Sequence, residues 1–160
     1  MSAKSSGDDG RRASLSETVS FVLDECRMVL PGIQALFGFQ LVAVFNHGFE
    51  QLGYMEQTIH LAALALVAVA VALVMAPAAY HRQAEQHSVS ERFIRLGSRL
   101  LLLSMFPLLA GICLDFYLIA LRILRTPAVA LLLTAAVFVI FAFLWFALPR
   151  VGTPRRTRGR

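Results

Sequence analysis

The sequence predicts an all-α fold, a four-helix transmembrane bundle with an N-terminal amphipathic interfacial helix. Four long apolar stretches carry this prediction, at about residues 29–47, 59–80, 98–123 and 127–148. Each is long enough to cross roughly 30 Å of hydrocarbon as a helix. The composition agrees, because 58% of the residues are hydrophobic and 16% are charged, whereas a soluble domain has about half and a quarter.

The basic residues are distributed unevenly around the four stretches. Of the fifteen, only Arg122 and Arg125 lie between the apolar runs of the third and fourth stretches, residues 100–121 and 127–148, and none lies between the first and second stretches. The others precede the first stretch, lie between residues 80 and 100, or follow the fourth stretch. By the positive-inside rule this predicts a membrane protein with both termini in the cytoplasm. Because the charge flanks the apolar stretches, the expected partner is anionic lipid headgroups, with no nucleic acid.

The segment before the first span divides into two parts. Residues 1–13 are small, polar and charged, which predicts a disordered cytoplasmic tail. Ser14 and Glu17 then form a capping box that starts a helix. Apolar residues recur at helical spacing up to residue 30, so we expect this helix to lie on the inner membrane surface. Pro31 and Gly32 should end or bend it before the first span.

The first two spans contain residues suited to helix contacts. Gln34 and Gln40 make the first span the least apolar, and polar side chains in hydrocarbon normally face other helices. We therefore expect this span inside the bundle, with little lipid contact. In the second span a stripe of small residues permits close approach of another helix, of the same chain or of a second copy. The stripe consists of Ala65, Ala68, Ala72, Ala76 and Ala79. Pro77 should bend or end the second span.

The last two spans are joined by a short turn that begins at Arg122. Pro127 suits the first turn of the fourth helix, where its missing N–H costs nothing. The predicted membrane domain covers residues 14–149, and residues 150–160 form a basic cytoplasmic tail.

Asp115 is the acidic residue that lies inside a predicted span. An intramembrane carboxylate is costly and is a functional-site hypothesis by default. One alternative is a structural pair with Arg122, seven residues on and on the same helix face. Another is an ion or proton site with polar residues near the same membrane surface, of which His60 and Glu50 are the main candidates. A third is a position close to a thinned interface.

No catalytic motif is present. The chain lacks the spacing that assembles a nucleophile with a base, a phosphate loop or a metal-binding His or Cys pattern. Cys26 and Cys113 have no ligand spacing and imply no disulfide framework. We therefore expect no enzyme, no cofactor and no metal site.

Two segments carry a family resemblance, PGIQALFGF at residues 31–39 and APAAYHR at residues 76–82. Together with Asp115 they resemble a bacterial family of small four-helix integral membrane proteins of unknown function. Some members carry a sodium:proton antiporter label. The resemblance covers about residues 16–149 and implies the fold and the location, without an established activity. It singles out Pro31, Gly32, Gln34, Phe37, Gly38, Phe39, Pro77, His81, Arg82 and Asp115.

Two functions from different classes follow. The first is a structural or accessory membrane protein that self-associates through the alanine stripe. The second is a proton-coupled transporter of cations or small molecules that uses Asp115. Known cation/proton antiporters are much larger and have paired carboxylates at the membrane midplane, whereas this chain has one carboxylate off-centre.

Overall fold

The computed structural model describes residues 3–84 and 91–151, and in these ranges the chain is helical apart from short turns. The elements are α1 (Ala3–Val44), α2 (His47–Glu50), α3 (Tyr54–Ala84), α4 (Glu91–Leu124), α5 (Pro127–Ala142), a π-helical turn (Phe143–Ala147) and α6 (Leu148–Val151). The predicted tails lie partly outside these ranges, at residues 1–2 and 152–160.

Four helices are long and apolar enough to cross a membrane, which confirms the predicted number of spans. They cover Glu17–Val44, Tyr54–Tyr80, Phe93–Leu124 and Pro127–Ala147. Helices α3 and α4 form the central pair, α1 packs against both, and α5 packs against α4. We call the end of the bundle that carries residues 45–53 and the α4–α5 turn the loop end.

Small residues bring the backbones of α3 and α4 close together. A Cβ atom at Gly111 would lie 2.9 Å from Cγ2 of Val67 and 3.1 Å from the carbonyl oxygen of Ala63. Both of these α3 residues are fully buried, as is Ala70. In a membrane, where water does not drive helices together, such close van der Waals packing is a main source of association.

Helix α1 corrects the prediction of a separate helix on the membrane surface. Pro31 lies inside one continuous helix that begins at Ala3, ahead of the predicted start at Ser14 and within the predicted disordered tail. The buried positions show why the helix continues, since Cys26, Ile33 and Gln40 are spaced by seven residues and face the bundle on both sides of the proline. One lost backbone hydrogen bond therefore does not end the helix, and adding residues to an existing helix costs little.

The expectation that the first span lies inside the bundle is wrong. Only 11% of its most apolar window is buried, against 28% for each of the two central helices. Its outward side chains include Met28, 77% exposed, and Phe39, 74% exposed. Gln34 is also exposed, whereas Gln40 is buried. The two glutamines are six residues apart, which places them on different sides of the helix.

The alanine stripe of α3 faces away from the other helices. Ala65, Ala68, Ala72 and Ala79 are exposed and Ala76 is half-buried. The stripe is therefore not used for the α3–α4 contact, which uses the opposite face of α3.

Pro77, which should bend or end this span, lies inside α3, is buried, and contacts the α4 backbone near Gly97.

The turn from α4 to α5 has the predicted form. Arg125 has a φ of 56°, a left-handed conformation that stops α4, and its backbone N–H donates to the carbonyl of Leu121. Thr126 is extended and Pro127 begins α5. The short turn keeps α5 antiparallel to α4.

Candidate functional site

Three polar side chains from three different helices meet near the loop end. Gln40 lies four residues before the end of α1, and His60 lies six residues after the start of α3. Asp115 lies nine residues before the end of α4. Because α1 and α4 end at the loop end and α3 begins there, these positions stand at similar depth in the bundle. We call Gln40, His60 and Asp115 the polar cluster.

Both carboxyl oxygens of Asp115 take part in hydrogen bonds. The Nε2 group of Gln40 donates to Oδ2. On the other side, Nδ1 of His60 lies 3.1 Å from Oδ1. The second ring nitrogen of His60, Nε2, lies 3.0 Å from the backbone carbonyl oxygen of Gln40. The cluster therefore joins α1, α3 and α4 through a ring of polar contacts.

The partners determine where the protons are. A carbonyl oxygen only accepts, so Nε2 of His60 must carry a hydrogen. The contact between Nδ1 and Oδ1 then holds one further proton, which is shared by the imidazole and the carboxyl group. The pair is either imidazolium and carboxylate or neutral imidazole and carboxylic acid. In both forms its net charge is zero, which lowers the cost of placing it among apolar residues.

The cluster is largely shielded from solvent. The side chain of His60 is 10% exposed and that of Asp115 is 17% exposed. The ring of Phe49 packs edge-to-face on the His60 imidazole, with ring centres 5.5 Å apart. The side-chain oxygen of Gln40, Oε1, is buried without a hydrogen-bond partner.

A cavity of about 570 Å³ lies beside the cluster, between α1 and α4. Its wall is mostly apolar, and Gln40, His60 and Asp115 contribute polar atoms. Asn46 and Arg122 lie nearer the loop end of the same cavity. Its size is within the range of small-molecule sites.

The loop between α1 and α3 covers the cluster and is fastened to α3. Gln57 donates from Nε2 to the carbonyl oxygens of Phe49 and Leu52, at 3.3 and 3.2 Å. Glu56 accepts from the backbone N–H of Gly53 at 2.9 Å, which caps the start of α3. These contacts hold Phe49 against His60.

Arg122 is not the partner of Asp115, contrary to the structural pair considered from the sequence. Arg122 donates from Nη2 to Oε1 of Gln51 at 3.4 Å, on the exposed rim of the cavity. Seven helical residues separate the two side chains by about 10 Å along the axis. Asp115 instead meets groups from α1 and α3, which lie directly opposite it.

The other predicted site residues separate into two groups. His60 joins Asp115 as expected, whereas Glu50 lies exposed in the one-turn helix α2 and is not among the hydrogen-bond partners of the cluster. Of the ten positions singled out by the resemblance, Asp115 belongs to the cluster, Phe39 lines the cavity, and Arg82 is exposed at the opposite end. The side chain of His81 lies outside the described residues.

The link between Gln40 and Asp115 was not predicted. Gln40 was expected to form an interhelical hydrogen bond, and it does, but its partner was unknown. One feature of the sequence points to this link. Gln40, His60 and Asp115 all lie within a few helical turns of the same predicted membrane surface, so their depths in the membrane are similar.

In the described part of the chain, no group of three or more His, Cys, Asp or Glu side chains is placed to hold a metal ion. The cluster places a carboxyl group against an imidazole, and the adjoining cavity is large enough for a small molecule.

Comparison with known proteins identifies a family but no individual relative. No curated protein and no solved structure matches the chain. A family profile matches residues 11–149, which include all four candidate membrane spans and the complete polar cluster. The chain therefore belongs to the family of unknown function DUF6328.

Proposed function

We propose that the chain is a small multi-pass integral membrane protein with a structural or accessory role and no enzymatic activity. The proposed location is the bacterial plasma membrane, with both termini in the cytoplasm and anionic lipid headgroups around the basic segments. The charge distribution supports this orientation, because thirteen of fifteen basic residues flank the cytoplasmic ends of the spans. Reporter fusions after residue 160 and at residue 86 should both report from the cytoplasm.

The polar cluster is the observation that carries the structural role. Both oxygens of Asp115 and both ring nitrogens of His60 already contact groups of the chain itself. These groups belong to α1, α3 and α4, so the cluster ties the three helices together. Paired and hydrogen-bonded groups of this kind hold transmembrane helices in register.

The exposed alanine stripe supports self-association. Because the small side chains of α3 face outward, a helix of a second copy can approach the α3 backbone closely. Replacement of Ala72 and Ala76 by leucine should therefore reduce association while leaving the inward face of α3 unchanged. Unchanged association of this double variant would contradict a role for the stripe.

A second candidate function is proton-coupled transport of a cation or small molecule through Asp115. The observation that favours it is the 3.1 Å contact between Nδ1 of His60 and Oδ1 of Asp115 beside a cavity of about 570 Å³. A transported molecule that displaces a proton from this contact would couple its own movement to a proton gradient.

One experiment separates the two functions. Purified protein is reconstituted in proteoliposomes, a pH gradient is applied, and the fluxes of protons and of sodium and potassium ions are recorded. Asp115→Asn retains an acceptor and a donor but holds no exchangeable charge. Asp24→Asn, the same change at an exposed carboxylate outside the cavity, is the matched control. The structural role predicts no flux for any of the three proteins. A gradient-driven flux that Asp115→Asn abolishes and Asp24→Asn retains would establish transport instead.

A further inference from the structure

Helix α1 combines low hydropathy with high exposure. It has the lowest mean hydropathy of the four spans, yet most of its surface faces away from the other helices. A lipid-facing surface is normally the most apolar part of a membrane protein, because hydrocarbon does not satisfy polar groups. The exposed face of α1 therefore has the character of a surface that another protein helix covers.

Gln34 is the most informative residue on this face. It lies seven residues after Arg27 and ten before Val44, so about 10 and 15 Å from these positions along the helix. This places its amide within the hydrocarbon. Gln34 is exposed and forms no side-chain hydrogen bond with any residue that the structure describes. An amide in this position gains most from a partner on a neighbouring helix.

The neighbours of Gln34 continue the same face at coiled-coil spacing. Pro31, Gln34, Gly38 and Leu41 follow one another at intervals of three, four and three residues, and Leu41 lies three residues before the end of α1. This alternation is the period of helices that pack along a common seam. Leu41 is 40% exposed. We call these four residues the α1 seam.

Gly38 leaves room for a close approach. A Cβ atom at Gly38 would meet nothing within 4 Å inside the chain, so the space beside it is open. A glycine in the middle of a helix is unfavourable by about 1 kcal/mol relative to alanine. Its absent side chain permits another helix to approach the backbone next to Gln34.

We propose that the α1 seam binds the α1 seam of a second copy of this chain, in parallel orientation. All copies carry the same charge pattern and therefore insert in the same direction. A two-fold axis along the membrane normal then brings Gln34 of each copy to the same depth. Each amide has a donor and an acceptor, so the pair can exchange two hydrogen bonds, which is the self-complementary pattern of a two-fold interface. This interface is separate from the alanine stripe of α3.

The first test is a matched pair of glycine variants. Gly38→Leu should raise the dimer dissociation constant at least tenfold, because the new side chain occupies the seam. Gly32→Leu is the control, because a Cβ atom there also meets nothing within 4 Å and Gly32 lies about 120° around the helix from Gly38. Association is measured by energy transfer between labelled copies in liposomes. Equal dissociation constants for the two variants, or a monomeric wild type, would overturn the proposal.

The amide pair has its own test. Gln34→Leu should weaken the dimer about threefold to thirtyfold, the range measured for interhelical hydrogen bonds in membranes. Unchanged or tighter association would contradict the amide pair.

Cysteine cross-linking tests the seam even if a leucine variant fails to fold. In a chain with Cys26 and Cys113 replaced by alanine, Gln34→Cys and Leu41→Cys should form disulfide-linked dimers on mild oxidation. Phe39→Cys should not, because this exposed position lies about 140° around α1 from Gln34. Cross-linking at residue 39 as strong as at residues 34 and 41, or none at any of the three, would overturn the parallel seam.

Discussion

Removal of the Asp115 carboxylate should destabilise the protein through two specific groups. In Asp115→Ala, Nδ1 of His60 and Nε2 of Gln40 lose their hydrogen-bond partner. A buried polar group left without a partner costs about 1–3 kcal/mol, so two such groups cost about 2–6 kcal/mol. The side chains of His60 and Asp115 are only 10% and 17% exposed, so water does not replace the lost partners. We expect a loss of about 3–5 kcal/mol in the free energy of unfolding, as for other broken buried pairs.

A double-mutant cycle identifies the partner of Asp115. Asp115→Ala, His60→Ala and the double variant should show a coupling energy of about 1–2 kcal/mol, near the upper end of values measured between transmembrane helices. The parallel cycle with Arg122→Ala should be additive within about 0.5 kcal/mol, since Arg122 is exposed and bonds to Gln51 at 3.4 Å.

Stability is measured by reversible unfolding with sodium dodecyl sulfate in mixed micelles, followed by far-ultraviolet circular dichroism. A coupling of Asp115 to Arg122 that exceeds its coupling to His60 would refute the partner assignment. Additivity in both cycles would refute the structural role of the cluster.

Three further predictions test the packing, the loop and the orientation. Gly111→Ala should lower the free energy of unfolding by about 1–3 kcal/mol, because its Cβ atom would lie 2.9 Å from Cγ2 of Val67. Gly32→Ala is the control and should be neutral or slightly stabilising. Denaturation curves of the two variants measure the difference. Gln57→Ala should speed hydrogen exchange in the loop around Phe49, because two hydrogen bonds of about 0.5–1.5 kcal/mol each are lost. Unchanged exchange would exclude Gln57 as the residue that holds this loop against α3. Reversal of the charge bias, by moving arginines from the cytoplasmic segments to the two opposite connections, should invert the insertion of the protein, and an unaltered orientation in protease-protection assays would contradict the positive-inside assignment.

Much of the architecture could be predicted because hydrophobic length is a local property. A stretch of about twenty apolar residues is long enough to span a membrane wherever it occurs in a chain, so the number of candidate spans followed from the sequence. The family followed from the segments at residues 31–39 and 76–82. The turn at Pro127 was equally local, because proline has no N–H and suits a first helical turn. The separate helix predicted before Pro31 is instead part of α1, for a related reason. The prediction was based on the one backbone hydrogen bond that a proline removes. The packing of buried residues on both sides of Pro31 keeps α1 continuous in spite of that loss.

The site could be predicted only in part. The sequence identified Asp115 and His60 as polar residues near one membrane surface, because a charge in an apolar stretch is conspicuous by itself. It also offered Arg122 as a partner, since helical spacing relates residues of one helix and contains no information about the next helix. Gln40 became the second partner because α1 crosses α3 and α4 in a particular register, and register is a property of the packed bundle.

The sequence alone determined the helical class, the four spans, the charge asymmetry and the presence of a carboxylate within a span. Each depends on the transfer of side chains between water and hydrocarbon, which every residue contributes independently of its distant neighbours. Only the tertiary structure decided that Asp115 meets His60 and Gln40, and that Gln34 and the alanine stripe face outward. These outcomes depend on which helix faces are in contact. Close packing determines these contacts, at residues such as Gly111, where the backbones of α3 and α4 approach each other.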